Sequence, residues 1–323
     1  MYLPFIVNCQ QSTGVAVPRV VITDSDFGRG EVEARELGDD YSVSFVNSRD
    51  PEVLRAAIGE AQILMVQWAH IDGPLMDAAP GLRGIVRFGM GLDNIDLDAA
   101  RSRGIDVRNV DDFCIDEVAD HATAMILAST RRLWTLNDEV KAGRWGPDLV
   151  PTSTPPADSV VGVAGLGRIG AAVARRVHAL GFPVSYWDSR PDLDAPSWAT
   201  KADSLVDLAE AATHLSLHIP LTTDTHAIVS REVLRALGSS GYLINVGRGG
   251  LVDESALWEA LESGGIAGAC LDVLATEPPS DGLSGAIARH PRALVTPHVA
   301  YLSTAALDTL RRHAAQRVKA ILA

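Results

Sequence analysis

The chain has 323 residues, 47% hydrophobic and 21% charged, enough to bury sizeable cores and long enough for about two domains. A formal net charge of −13 argues against a nucleic-acid partner and gives no pull toward an anionic membrane. The three cysteines, Cys9, Cys114 and Cys270, are far apart and in no metal-ligand spacing, so a reduced cytoplasmic chain without a metal is expected.

The opening MYLPFIVNCQQS has no basic residue ahead of its apolar part, which argues against a secretory signal. No apolar run approaches the roughly 18 residues of a membrane span. Residues 1–17 read as an extension ahead of the first strand. From Arg19 strand and helix alternate: VVITD (strand), EVEARELG (helix stopped by glycine), YSVSFV (strand), DPEVLRAAIGE (helix), ILMVQ (strand), PLMDAAPGL (helix) and GIVRFG (strand). Such alternation predicts a parallel sheet covered by helices.

Residues 115–142 break the rhythm. Val118, Ala122, Met125, Ser129, Leu133, Leu136 and Val140 recur at three and four residues and predict one long helix, with Gly143 as its stop. The following GRWGPDLVPTSTPPADS, rich in proline and polar residues, reads as a linker or arm. A second α/β run begins at SVVGVAG and continues to about Val295, and TAALDTLRRHAAQRVKAILA closes the chain as an amphipathic helix. The fold class is therefore α/β, with two doubly wound parallel-sheet units.

The second run opens with VVGVAGLGRIGAAVARRVHALGFPVSYWD, which contains Gly165-x-Gly167-x-x-Gly170. The glycine pattern alone is a weak signal, and a plain turn beside a surface aspartate would also produce it. Here a buried strand precedes it, an alanine-rich helix follows, and a second strand ends at Asp188, 18 residues after Gly170. The set fits a dinucleotide site: a tight turn, close approach to a pyrophosphate, and a carboxylate on the ribose diol. Because that carboxylate repels a 2′-phosphate, NAD (NADH) is expected over NADP, although Arg190 nearby pulls the other way.

Three further residues stand where later strands run out: Arg248 in LINVGRGGLVD, Glu277 in LDVLATEPP and His298 in VTPHVA. Each has a bland reading, as a helix cap, a turn or a structural histidine. Together they supply an anion clamp, a carboxylate and an acid–base group. Reducing a 2-oxo acid needs a hydride on carbon and a proton on oxygen. Arg248 can hold the carboxylate and polarise the carbonyl with charge-assisted bonds. His298 can deliver the proton, and Glu277 can orient its ring.

The runs RFGMGLDNIDLDAARSRGIDVRNV, EVADHATAMILASTRR, GLGRIG, HIPLTTDT, INVGRGGLVDESAL, GACLDVLATEPP and TPHVA resemble the D-isomer-specific 2-hydroxyacid dehydrogenase family from residue 19 to nearly the end of the chain. The resemblance implies a Rossmann NAD-binding domain (115–298) inserted into a flavodoxin-like substrate domain (1–114 and 299–323), with the site in the cleft. It implies Arg248, Glu277 and His298 as the catalytic set. Gly165, Gly167, Arg168, Ile169, Gly170, Asp188 and Val246 would bind the cofactor, with Asp272 holding the nicotinamide carboxamide. Backbone N–H groups around Gly89, Met90 and Gly91 would meet the substrate carboxylate, with Trp68, Ala69 and His70 as the opposite wall. His70 could greet a distal anion or merely cap a turn.

Family members are commonly dimers through the helix beginning near Glu117 and the arm after it, so a homodimer is expected. Two branches are set aside by residue identity. Formate dehydrogenases carry glutamine where Glu277 stands, and phosphite dehydrogenases carry lysine where Met90 stands. TPPADS before the glycine-loop strand and Thr213 depart from the family pattern, outside the chemistry. No C-terminal regulatory domain is expected after the closing helix. The run RFGMGLDNID also resembles the family's transcriptional-corepressor branch, which leaves a second reading: an NAD(H)-sensing binding protein with little turnover.

Overall fold

The computed structural model describes residues 17–149, 154–191 and 193–323. The readings made on residues 1–16, Cys9 included, and part of the proposed arm lie outside them. The chain divides into two compact units, Met1–Cys114 with Ser303–Ala323, and Ile115–Leu302.

In the first unit five parallel strands, β1 (Arg19–Ile22), β2 (Ser42–Phe45), β3 (Ile63–Val66), β4 (Gly84–Arg87) and β5 (Asp106–Asn109), pair in the order β2-β1-β3-β4-β5. The runs ILMV and GIVR are buried throughout, as strands covered on both faces must be. Helices start where an aspartate accepts from a backbone N–H: Asp50 from Glu52, Asp72 from Leu75 and Asp96 from Ala99. The closing helix Thr304–Leu322 packs on the helix Glu31–Leu37. There Arg311 forks onto buried Glu33, with both hydrogen bonds at 2.8 Å. That pair joins the end of the chain to its beginning.

In the second unit seven parallel strands pair in the order β12-β11-β10-β9-β6-β7-β8. They are β6 (Val161–Ala164), β7 (Val184–Trp187), β8 (Ala199–Lys201), β9 (His214–Leu217), β10 (Tyr242–Asn245), β11 (Gly268–Leu271) and β12 (Ala293–Val295). This is the Rossmann order, and the direction of travel reverses between β6 and β9, where ligands of such sheets bind. Both units are the doubly wound α/β sheets that the alternating elements predict.

One expectation fails. Residues 115–142 form two helices, Ile115–Thr130 and Leu133–Lys141, rather than one. Arg132 takes the left-handed conformation at φ 51 and ends the first helix. Just before the break the Ser129 and Thr130 hydroxyls donate back to carbonyls at Met125 and Ile126, an alternative to continuing the backbone ladder. The apolar stripe then runs on, but Leu133 is 55% exposed and Val140 49% exposed. The periodicity is continuous across a break it does not register. Gly143, at φ 79, follows the second helix as expected.

Among the described residues no helix is long and apolar enough to cross a membrane. Cys114 and Cys270 are both buried, and burial pushes the Cys270 thiol up to about 12.

Candidate active site

In the unit Ile115–Leu302 the glycine turn leaves β6 at the switch point. Gly165 has φ 89, and a Cβ there would come within 2.7 Å of the His218 carbonyl oxygen at the end of β9. A Cβ on Gly170 would sit 1.9 Å from the Gly165 carbonyl oxygen, so the helix Arg168–Ala179 packs on the turn only with glycine here. Gly167 is different: a Cβ there would meet nothing within 4 Å. The protein's own packing does not demand that glycine, whereas a pyrophosphate approaching the helix N-terminus would. Arg168 and Ile169 open this helix, Arg168 exposed and Ile169 half-buried. The donor set fits a dinucleotide.

Asp188 follows β7 and is tied back to the turn, its Oδ2 accepting from Leu166 N at 2.8 Å. The Arg190 guanidinium grips the same carboxylate through both oxygens, at 2.8 and 2.9 Å. That grip, with the backbone N–H groups of Arg190 and Leu166, holds the Asp188 carboxyl well below the usual carboxylate range. Val246 is buried just past β10.

The turn that carries Arg248 is shaped by Asn245. Its side-chain oxygen accepts from Gly247 N at 3.0 Å and its amide donates to the Arg248 carbonyl at 2.9 Å. Arg248 Nη1 donates to the Gly247 carbonyl at 2.8 Å. The next residue, Gly249, lies flat on the loop that carries Glu277, since a Cβ on Gly249 would be 2.0 Å from the Leu274 carbonyl carbon.

Glu277 and His298 meet: Nδ1 of His298 is 2.6 Å from Glu277 Oε2. His298 is half-buried and Glu277 is an exposed residue, with side-chain exposures of 19% and 30% respectively. His298 itself takes φ 55, rare for a residue with a Cβ. Asp272 supplies the restraint. Its carbonyl accepts from His298 N at 2.8 Å, and its buried carboxylate accepts from Val299 N at 3.0 Å and Ala300 N at 2.8 Å. Thr296 Oγ1 donates to Asp272 Oδ1 at 2.5 Å and lies 3.0 Å from His121 Nε2.

In the first unit, the loop after β3 is held by buried Asp24, whose carboxylate accepts from the backbone N–H groups of Gln67, Trp68 and Ala69 at 3.3, 2.8 and 3.2 Å. The Asn94 amide donates to the Ala69 carbonyl at 2.8 Å. His70 is exposed and makes no hydrogen bond among the described residues, so it caps no turn there. After β4, Gly89 has φ 132, and a Cβ there would come within 1.7 Å of Arg87 Nη1. The same guanidinium lies 5.7 Å from the Trp68 ring centroid. The Met90 carbonyl accepts from the Asn109 amide at 2.6 Å, and Gly91, half-buried, continues the turn.

Asn245, Thr296, Asn94 and Arg87 lie in the runs that resemble the family but carry no assigned role there, and Asp24 lies in none of those runs. Asn245 and Arg87 act on residues two or three away, whereas Asp24, Asn94 and Thr296 act across 24 residues or more. The departures from pattern are absorbed locally: Thr213 Oγ1 donates to the Val160 carbonyl at 2.9 Å, and TPPADS forms a short 3-10 turn at Pro156–Asp158.

A Rossmann sheet with this glycine turn, in a chain that also carries a unit of order β2-β1-β3-β4-β5, defines an α/β protein of the dinucleotide-binding class. Residues 123–300 match the family model for the D-isomer specific 2-hydroxyacid dehydrogenase, NAD binding domain. The chain is 35% identical over 311 residues to D-3-phosphoglycerate dehydrogenase of Mycobacterium tuberculosis, covering 96% of this chain but only 58% of that protein. It is 34% identical over 278 residues to glyoxylate reductase of Thermofilum pendens, 84% of this chain and 81% of the relative. The crystal structure of the NADPH-dependent glyoxylate/hydroxypyruvate reductase of Sinorhizobium meliloti, in complex with NADP and malonate, matches with a TM-score of 0.84. Identity there is 33%, over 95% of this chain and 94% of that one. The chain belongs to the D-isomer specific 2-hydroxyacid dehydrogenase family.

Proposed function

We propose that the chain is an NAD-dependent oxidoreductase that interconverts a small 2-oxo acid and its D-2-hydroxy acid. The observation that carries this reading is the 2.6 Å contact between His298 Nδ1 and Glu277 Oε2, made at the carboxyl ends of a Rossmann sheet. Residues 1–114 and 299–323 form the substrate domain in this reading, and 115–298 the cofactor domain.

Gly165, Gly167, Arg168, Ile169 and Gly170 present the helix N-terminus to the pyrophosphate, with Val246 beside them. Asp188 takes the ribose diol and Asp272 the carboxamide. The bound nicotinamide supplies the hydride. Arg248 grips the substrate carboxylate and polarises the carbonyl. Its forked guanidinium suits the planar oxo acid. Glu277 accepts from Nδ1–H of His298, which assigns proton delivery to Nε2, onto the oxygen that becomes the hydroxyl. Gly89, Met90 and Gly91 meet the carboxylate through backbone N–H groups, and Ala69 and His70 stand on the opposite wall.

NADH is the preferred cofactor because Asp188 faces the ribose. Arg190, already paired with Asp188, supports residual use of NADPH, and the Sinorhizobium reductase is NADPH-dependent. A homodimer through the helix beginning near Glu117 and the arm after it is supported by exposed Leu133, Val140 and Trp145, the last 88% exposed, and a cytoplasmic location remains the expectation from the sequence. Sedimentation of the purified chain tests the dimer.

The decisive experiment is a spectrophotometric screen of NADH and NADPH consumption with 2-oxo acids of varied side chain, glyoxylate and hydroxypyruvate among them. Turnover of at least one is expected. NADH-dependent assembly without turnover of any would instead favour the corepressor-like alternative, which no feature of the structure singles out.

A further inference from the structure

Three consecutive backbone N–H groups ahead of Glu277 each donate to a side chain. Leu274 N donates to Glu277 Oε1 at 2.9 Å, Ala275 N to Glu254 Oε1 at 2.8 Å, and Thr276 N to Ser284 Oγ at 3.2 Å. Ser284 Oγ in turn donates to the second oxygen of Glu254 at 2.6 Å. Glu254 opens the helix Glu254–Ser263 and Ser284 lies in the helix Leu283–Ala288, so two separate elements hold one short loop. Backbone contact with Gly249 leaves that loop little room, since a Cβ there would also be 2.4 Å from Ala275 N. Asp253 already caps the helix, accepting from Ala256 N. The Glu254 carboxylate is therefore not needed as the cap, and both its oxygens go to neutral donors on the Glu277 side.

We propose that Glu254, together with Ser284, is a positioning residue for Glu277: it fixes where the Glu277 carboxylate stands and, through it, how the His298 ring is presented. This rests on the reading of Glu277 and His298 as the orienting carboxylate and acid–base group. The competing account is that Glu254 only favours its helix as an anion in the first turn. That account predicts a loss of stability with no link to Glu277.

A double-mutant cycle decides between them, with NADH oxidation by glyoxylate as the assay because glyoxylate carries no side chain and asks nothing of a side-chain pocket. Glu254→Ala is expected to lower kcat about 10-fold, a displaced-group effect, with the KM for NADH changed less than about 2-fold. Ser284→Ala should lower kcat about 3-fold, and Ser284→Thr, which keeps the hydroxyl, should restore it to within about 2-fold of wild type. In a Glu277→Gln background, Glu254→Ala should change kcat by less than about 2-fold, because the group it positions is already gone.

Equal losses from Glu254→Ala in both backgrounds would overturn the proposal while leaving the acid–base reading intact. A Glu277→Gln variant with wild-type kcat would instead sink the acid–base reading, and the proposal with it. If circular dichroism shows that Glu254→Ala does not fold, the Ser284→Ala and Ser284→Thr pair in the two backgrounds gives the same decision.

Discussion

The loops of Ile115–Leu302 and those of Met1–Cys114 are held by overlapping means, with one addition in the former. There side chains tie down backbone (Asn245 on Gly247, Asp272 on Val299 and Ala300, Glu254 on Ala275), and further contacts are backbone on backbone: Gly170 against the Gly165 carbonyl, and Gly249 against Leu274 and Ala275. In the latter they are side chain on backbone: Asp24 under residues 67–69, Asn94 on Ala69, and the end of Arg87 against Gly89. Backbone cannot step aside without moving its whole strand, whereas the tip of an arginine can. The contact at Gly89 can therefore yield to a substitution more readily than those at Gly170 and Gly249.

The comparison is sharpest at its glycines. Gly249→Ala and Gly170→Ala should be the most damaging changes. Each forces a Cβ to about 2 Å from a backbone atom, and kcat/KM with NADH should fall at least about 100-fold. A mild effect from either would remove the distinction between the units.

Asp24→Asn comes next. An amide keeps one acceptor oxygen where the carboxylate serves three backbone N–H groups, so the loop 67–70 should loosen. The KM for the oxo acid is expected to rise about 10-fold with the KM for NADH unmoved. A matching rise in both would show that Asp24 is a general stabiliser.

His214 on β9 tests the rigidity of the second unit through pH. Burial lowers its value from 6.5 to about 4 in the folded chain. Between those values the unfolded chain binds a proton that the folded chain refuses, so stability is full above about 6.5 and falls as pH drops toward 4. At about 1.4 kcal/mol for each pH unit, the loss attributable to this group is about 3 kcal/mol. In His214→Phe, where the stacking partner Tyr242 is kept, denaturant melts from pH 7 to 4 should show a shallower decline than wild type. Equal slopes would mean that His214 binds its proton in the folded chain about as readily as in the unfolded one.

Gly89→Ala should cost only a few-fold in the KM for the oxo acid despite a nominal clash at 1.7 Å, because the clashing atom is Arg87 Nη1 at the end of a flexible chain. Some strain remains from its φ of 132. His70→Ala should be the smallest effect, under about 2-fold with glyoxylate, since His70 is exposed and holds nothing among the described residues. A change in the ratio of activities on dicarboxylic and monocarboxylic oxo acids would show instead that it reads a distal anion.

Much of this molecule is legible without coordinates. Strands such as ILMV and YLIN are short apolar runs bounded by turn residues, and helices such as that after Asp50-Pro51 announce their own start. These are local signals, written within a few residues by sterics, capping and burial. The glycine turn tied to Asp188 is likewise legible, as is the pairing of Glu277 with His298, whose part in chemistry together with Arg248 is the proposal made above.

What tertiary structure alone decided lies between segments distant in sequence. The helix after Ile115 stops at Arg132 because of a backbone conformation that the apolar period does not encode. Asp24 reaches more than forty residues to hold Ala69. Glu254 reaches Ala275, and Thr296 with Asp272 fixes a histidine in a left-handed conformation. A side chain's type states what it can bond, but only the packed chain brings its partner within 3 Å. The residue types proposed for chemistry are therefore visible in the sequence, whereas the long-range ties that hold their loops are not.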